Sequence, residues 1–546
     1  MNKKFYFIKK ETICLLLFTG LLLCSFSSFS QKPLQELIDI AKTKDSTEHT
    51  IPSWTELKRR WTGAINDPFN SAKLVLFETA INSLKDKRVP YNIVMNINGD
   101  PKTRMGFNWY NNENIIGGKL EIVKGIATNH SAFSNATPIY ATTTPRTNLN
   151  YNVSDNNLWN EAGIGIPTLK SYTENKAVAT GLLPGTTYSF RVGGVNDHWS
   201  NIGTFTTAKD NKDAFSFVYT TDPQSINYFQ FNTAQTTTHT AFAKHQNVNF
   251  WLNCGDFVET WGGTNYAEWE WEQFFETQQD LLLKTPFAPV QGNHDVSPRN
   301  NFKSHFHTED FPTDPQGSST YSFSYGDALF FALNGELYNN TGYITNVKKW
   351  MQDIVENPQN QDIKWRIVYY HKSIFTGGNH QASPEVTAWR NAMATFFEDL
   401  NIDIAFQGHT HVYEVLGPIV SEVLGTKTNY TIVPGAVSNV QNVQKECSQR
   451  LNISGKIGGI FNVKEGTLYF LNSSSRGPKE PFCFNEMNCC SDIQDYPSLF
   501  TGRLGKTEKP TYSHVTVSSN TITISTYKVL GINNVRLYDE IKIVKS

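Results

Sequence analysis

Five stretches in the middle of the chain share one pattern: a short apolar run, then at once a carboxylate, amide or imidazole. Phe215 to Thr221 runs into Asp222, Phe250 to Cys254 into Gly255-Asp256, and Phe287 to Gln291 into Gly292-Asn293-His294-Asp295. Trp365 to Tyr370 runs into His371, and Ile402 to Gln407 into Gly408-His409-Thr410-His411. Apolar runs of this length, with helical patterns between them as far as about Gly425, read as the buried strands of a layered α/β domain. Sharing a sheet, the five strands would deliver their polar residues to its carboxyl edge, where open α/β sheets bind ligands.

The pattern differs on either side. From Gln31 to about Arg88 it is mixed and partly helical, with Leu34, Leu37, Ile38 and Ala41 at helical spacing and no assignable function. From Val89 to Ala208 it turns to strands: Met105, Phe107 and Trp109 alternate with polar neighbours, as do Leu120 and Ile122. Leu183-Pro184-Gly185-Thr186-Thr187-Tyr188, followed by Ser189 to Val192, resembles the turn and tyrosine corner of fibronectin type III sandwiches, and Phe205 to Ala208 would close the module. Such a sandwich is expected to be structural or to serve docking. Lys209 to Asp213 is polar and reads as the linker to the layered part, 213–546. Near the end, Ile460–Val463, Thr467–Leu471, His514–Val517 and Thr521–Tyr527 read as a second sheet completing that domain.

Composition narrows the setting. A chain of 546 residues exceeds one compact core, and a net charge of -2 gives no general attraction to nucleic acid or acidic membranes. Residues 1–30 read as a signal peptide. Lys3, Lys4, Lys9 and Lys10 precede an apolar run from Ile13 to Leu23, and Ser28-Phe29-Ser30 supplies small residues for cleavage. The run is shorter than the ~20 residues of a membrane span, so no transmembrane segment is expected in the mature chain. Bulky Leu23 before Cys24 argues against a lipid anchor, and the product would be periplasmic or secreted. Cys447, Cys483, Cys489 and Cys490 could pair as disulfides there, whereas Cys254, in an apolar run, reads as a buried free thiol.

Each polar cluster alone has an ordinary reading. Asp222 could cap a helix, Gly255-Asp256 could be a turn, Gly292 to Asp295 a polar loop, and His371 a satisfied core histidine. Two histidines flanking one residue after a buried strand, as in His409-Thr410-His411, rarely serve packing. All five in order, each at a strand end, point to a pair of divalent or trivalent cations: iron, zinc or manganese. Asp256 is the natural bridge between them, with Gly255 allowing close backbone approach.

Taken together, the motifs resemble those of the calcineurin-like metallophosphoesterases, and within them the purple acid phosphatases. Those enzymes carry an aspartate, Gly-Asp, Gly-Asn-His-Asp or Glu, a lone histidine and Gly-His-x-His in this order, and Tyr413-Glu414 extends the likeness. The resemblance implies an α/β (α+β) fold: a two-sheet β-sandwich flanked by helices, preceded by an all-β fibronectin type III-like sandwich (89–208). It places Asp222, Asp256 and His411 on one metal, and Asp256, Asn293, His371 and His409 on the other. His294 would stand near the leaving group, oriented by Asp295, and His380 falls where relatives keep a substrate-contacting histidine. Trp261, on a loop after Gly-Asp, could also meet substrate, whereas Trp269 and Trp271 with Phe274 and Phe275 read as core.

Two positions depart from the family pattern. Where purple acid phosphatases have the iron-binding tyrosine that gives their colour, this chain has Glu259, either a carboxylate ligand or an ordinary exposed residue. Gln224 stands where the wider family often has histidine, and is expected to hydrogen-bond nearby.

The expected function is an exported hydrolase of phosphate mono- or diesters, acting by attack of a metal-bound hydroxide on phosphorus. One alternative keeps the site but cleaves sulfate esters of polysaccharides, since sulfate shares the tetrahedral oxyanion; with no Cys/Ser-x-Pro-x-Arg motif of the common sulfatases in the sequence, that route would require this metal chemistry instead. Another is a binding module with a dead catalytic domain, which ought to have lost ligands.

Overall fold

The computed structural model describes residues 34–44, scattered positions between 57 and 86, 88–151, 169–259, 267–296, 301–378, 380–424, 427–439, 441–443, 455–477, 500–505, 507 and 509–545. The expected signal peptide, Trp261, Cys447, Cys483, Cys489 and Cys490 lie outside these. Among the described residues no helix is long and apolar enough to cross a membrane. The chain divides into two compact units, a small one formed chiefly by residues 1–87 and a large one containing 88–155 and 166–546. In the small unit the helices Leu34–Lys42 and Ser71–Asn82 share a core of Leu37, Ala41, Phe77, Ala80 and Ile81.

In the large unit the five expected strands divide between two sheets instead of sharing one. Phe215–Thr220, Phe250–Asn253 and Phe287–Pro289 lie parallel in the first sheet, in register Thr220↔Asn253↔Pro289. Trp365–Lys372 and Ile404–Gly408 lie parallel in the second, between Ala328–Ala332 and Thr467–Leu471. Alternate residues of each strand point inward. Phe217 meets Phe330 and Phe406 edge-on, with ring centres 5.7 Å apart in each case, and stacks on Phe250 at 5.0 Å. Two strands buried on both faces read as the same apolar run whichever sheet they join, so sequence could not divide them.

The C-terminal strands likewise do not form a sheet of their own. Thr511–Val517, Thr521–Gly531 and Asn534–Val544 extend the first sheet outward from Phe215–Thr220, while Thr467–Leu471 sits inside the second. Helices cover both outer faces. Thr341–Glu356 buries Tyr343, Val347, Met351 and Val355, each four residues from the last, against Leu329, Phe331 and Val368 of the second sheet. Ala267–Leu282 lies on the first, with Phe274 near Trp251 and Phe257, and Trp269, Trp271 and Phe275 buried as expected.

The N-terminal sandwich packs Met105, Phe107, Trp109, Leu120, Phe190 and Phe205 between its sheets. Tyr188 forms the expected corner, its hydroxyl accepting from the Leu183 N–H at 2.9 Å. One of its sheets (Tyr91–Asn96, Met105–Asn112, Leu169–Ala179 and Thr142–Asn150) is continuous with the first sheet described above, because Tyr91–Asn96 pairs parallel with Phe287–Pro289. The polar positions of Met105–Asn112 are therefore buried too, and Asn108 donates its amide to the His305 carbonyl at 3.0 Å.

Candidate metal centre

Because the strands of each sheet run parallel, their carboxyl ends meet at one edge, and the loops that follow bring the expected ligands together. Donor atoms of Asp256, His371 and His409 lie within 4.8 Å of one another, as do those of Asp222, Asp256 and His411. Asp256 belongs to both groups, as the bridging position requires. Asn293 joins the first, its Oδ1 lying 3.0 Å from His371 Nε2.

The loops reach this arrangement through backbone that side chains rarely favour. Asp222, Asp256, His409 and His411 all have positive φ, at 51°, 55°, 82° and 53°. Such residues cost on the order of 1 kcal/mol or more each and persist where surrounding bonds fix them. The Asp222 N–H donates to the Gly255 carbonyl at 3.1 Å, and the His409 N–H donates to the Asp222 carboxylate at 3.0 Å. Glycine is required for close approach at Gly408, where a Cβ would fall 2.5 Å from Thr221 Oγ1, 2.8 Å from the Cys254 carbonyl and 2.9 Å from His371 Nδ1. Gly408→Ala is expected to displace His371 and His409, lowering bound metal and cutting turnover by about 10²-fold. Elemental analysis and rate measurement on one preparation check this; a fully loaded, fully active variant would refute it.

The donor set fits cations. His371 donates its Nδ1–H to the Cys254 carbonyl at 2.7 Å, which leaves the Nε2 lone pair facing Asn293 Oδ1 at 3.0 Å and Asp256 Oδ2 at 3.2 Å. Three acceptors so close repel unless a positive charge stands among them. Burial opposes the charge on His371, but Asp256 raises its pKa to about 9. Burial also opposes the charge on Asp256, yet His371 and His294 hold its carboxyl well below the usual range. His409 is pushed well below its ordinary value by burial and by His371, which favours the neutral imidazole that a cation would need. Its Nε2 is buried with no hydrogen-bond partner among the described residues, an orphan that a cation would satisfy.

The remaining expected residues fall at or near the centre in differing ways. His294 is anchored by Nδ1 to the Glu259 carbonyl at 2.7 Å, and its N–H donates to Asp256 Oδ1 at 2.9 Å. Asp295, expected to orient that ring, instead binds backbone: its oxygens accept at 2.8 Å from the N–H groups of Asp256, Phe257 and Gly292. It thus staples the Gly-Asp loop to the Gly-Asn-His-Asp loop. His380 packs its ring on His409 with centres 4.1 Å apart. Glu414, raised to about 7 by burial, accepts from the Gly377 N–H at 2.8 Å and fixes the loop leading to His380. Gln224 donates its backbone N–H to the Asp256 carbonyl, while its side-chain Oε1 is buried with no partner among the described residues. Glu259 joins none of the three-donor groups among the described residues. Its carboxylate lies 3.9 Å from Arg476 Nη2 and is 25% exposed, so it is neither a ligand of these groups nor an ordinary surface residue.

Sequence reasoning passed over the segment Asn472 to Arg476, which closes over the same edge. Ser473 Oγ donates to the His411 carbonyl at 2.9 Å, Ser474 Oγ to the Asp222 carbonyl at 2.6 Å, and the Ser475 N–H to the Thr221 carbonyl at 3.1 Å. The signal was present: Thr467–Leu471 is a sixth apolar run leading directly into polar residues.

A profile of the calcineurin-like phosphoesterase family matches residues 215–413, the region that holds both sheets' ligand-bearing strands. The chain carries that region behind a purple acid phosphatase N-terminal domain, whose profile matches residues 90–207. Relatives include purple acid phosphatase 23 of Arabidopsis thaliana, 25% identical over 210 residues, covering 37% of this chain and 43% of the relative. The human serine/threonine-protein phosphatase CPPED1 is 23% identical over 189 residues, covering 32% of this chain and 59% of that protein. The match thus spans less than two thirds of either relative's length. Among solved structures, purple acid phosphatase PPD1 from yellow lupin (Lupinus luteus) seeds superposes with a TM-score of 0.56 at 15% identity, covering 84% of this chain and 75% of that one, a likeness of fold.

Proposed function

We propose that the protein hydrolyses phosphate esters at a two-metal centre held by Asp222, Asp256 and His411 on one side and by Asp256, Asn293, His371 and His409 on the other. The observation that carries this reading is the sharing of Asp256 between two donor groups. Two such cations, when bound, lower the pKa of water and neutralise charge on a phosphoryl oxyanion. The protein's own residues supply the rest. The Glu259 carbonyl accepts the Nδ1–H of His294 and so orients the ring, which in its imidazolium form would hand the Nε2 proton to the leaving oxygen. His380, beside His409, lies where it can contact the substrate's non-bridging oxygens. The basic start and apolar run of residues 1–30 support export, and iron, zinc and manganese suit the oxygen and nitrogen donors.

The experiment is elemental analysis of the purified protein together with a panel of aryl phosphate, bis-aryl phosphate, aryl sulfate and sulfated glycans. Two metals per chain and cleavage of a phosphate ester are expected. Cleavage of sulfate alone, or binding without turnover, would overturn the proposal. Because Glu259 occupies the tyrosine position, iron-loaded protein is expected to show no visible tyrosinate band in its absorption spectrum. A purple preparation would refute that expectation.

A further inference from the structure

Thr467–Leu471 runs parallel to Ile404–Gly408, pairing Leu471 with Gln407, so it ends at the edge where His409 and His411 begin. The three serine-loop bonds to Thr221, Asp222 and His411 then hold Arg476 beside the centre. Its side chain is 8% exposed, yet the guanidinium is thinly served. The contact with Glu259, at 3.9 Å, is too long for a hydrogen bond. Nε is buried with no partner among the described residues. Burial lowers the pKa of Arg476, and the charges of Glu259 and Asp222 oppose that shift. A buried guanidinium has five donors in a planar fork, and leaving them unfilled is costly.

An anion with two free oxygens in one plane fits that fork. Resting on the phosphate-ester reading above, we propose that Arg476 is an oxyanion clamp that grips two unesterified oxygens of a phosphate monoester. It thereby makes the site prefer monoesters, whose dianion offers three such oxygens, over diesters, which offer two and carry one charge. Glu259 is the counter-ion that holds the guanidinium before substrate arrives.

The test uses metal-loaded wild type, Arg476→Gln and Arg476→Lys. Inorganic phosphate affinity is measured by calorimetry, and KM and kcat are measured for an aryl phosphate and a bis-aryl phosphate. Loss of charge-assisted hydrogen bonds predicts that Arg476→Gln weakens phosphate binding and raises monoester KM by about 10- to 100-fold. Diester KM should move far less, and metal content should stay the same. Arg476→Lys, which keeps the charge but not the fork, should fall between. Wild-type phosphate affinity in either variant overturns the clamp, and so does an equal loss on monoester and diester, which marks a merely structural role. If Arg476→Gln fails to fold or load, Arg476→Lys decides alone by the same criterion. Should no ester be cleaved while phosphate binding still depends on Arg476, the clamp stands and the hydrolase reading falls. Hydrolysis with affinity indifferent to Arg476 has the opposite meaning.

Discussion

Asp256→Ala is expected to leave the protein unable to retain either metal and to reduce turnover of an aryl phosphate on the order of 10³-fold or more. The expectation follows from the carboxylate's double membership: it faces His371 and His409 on one side, and Asp222 and His411 on the other. Its Oδ1 also accepts the His294 N–H at 2.9 Å, so the loop carrying the proton donor loses an anchor at the same time. His409→Ala should be milder in metal content, because that imidazole serves only one of the two donor groups that share Asp256. Metal equivalents and turnover measured on one folded preparation decide the matter. An Asp256→Ala protein that turns over normally while free of metal would end the two-metal reading.

His294→Ala is expected to lower kcat by about 10²–10⁴-fold while both metals remain bound. The ring stands outside both donor groups and is oriented by the Glu259 carbonyl, so removing it leaves the ligands in place. A proton donor matters most when the leaving group is a poor one. The loss should therefore be large for an alkyl phosphate and small for a nitrophenyl phosphate. Equal losses on the two would assign His294 to positioning and not to proton transfer.

Much of the centre could be read from sequence because each ligand stands within a few residues of a strand end, and strand ends show as the abrupt close of an apolar run. The six expected ligands Asp222, Asp256, Asn293, His371, His409 and His411 converge for that reason. What stayed hidden depends on partners far away along the chain. Asp295 resembled an acid for His294, but its oxygens are taken by backbone N–H groups, which leave no mark in residue spacing. The division of the five strands between two sheets was equally silent, since parallel buried strands show the same apolar run in either place. Positive φ at Asp222, Asp256, His409 and His411 is imposed by long-range bonds, and neither aspartate nor histidine announces it. Glu259 was left between ligand and surface because its partner, Arg476, lies 217 positions later and is visible only in three dimensions.

The continuous sheet alters what the N-terminal sandwich means for the rest. Phe287–Pro289 is only three residues long and leads directly into the loop bearing Asn293 and His294. On its far side it rests against Tyr91–Asn96, and the Thr204 N–H donates to the Leu283 carbonyl just before it, at 2.8 Å. Severed at Lys209, the catalytic half would present that short strand as a raw border, inviting foreign chains to pair with it. The sandwich thus acts as a selvedge, and the polar stretch after Ala208 divides the polypeptide without dividing its cohesion.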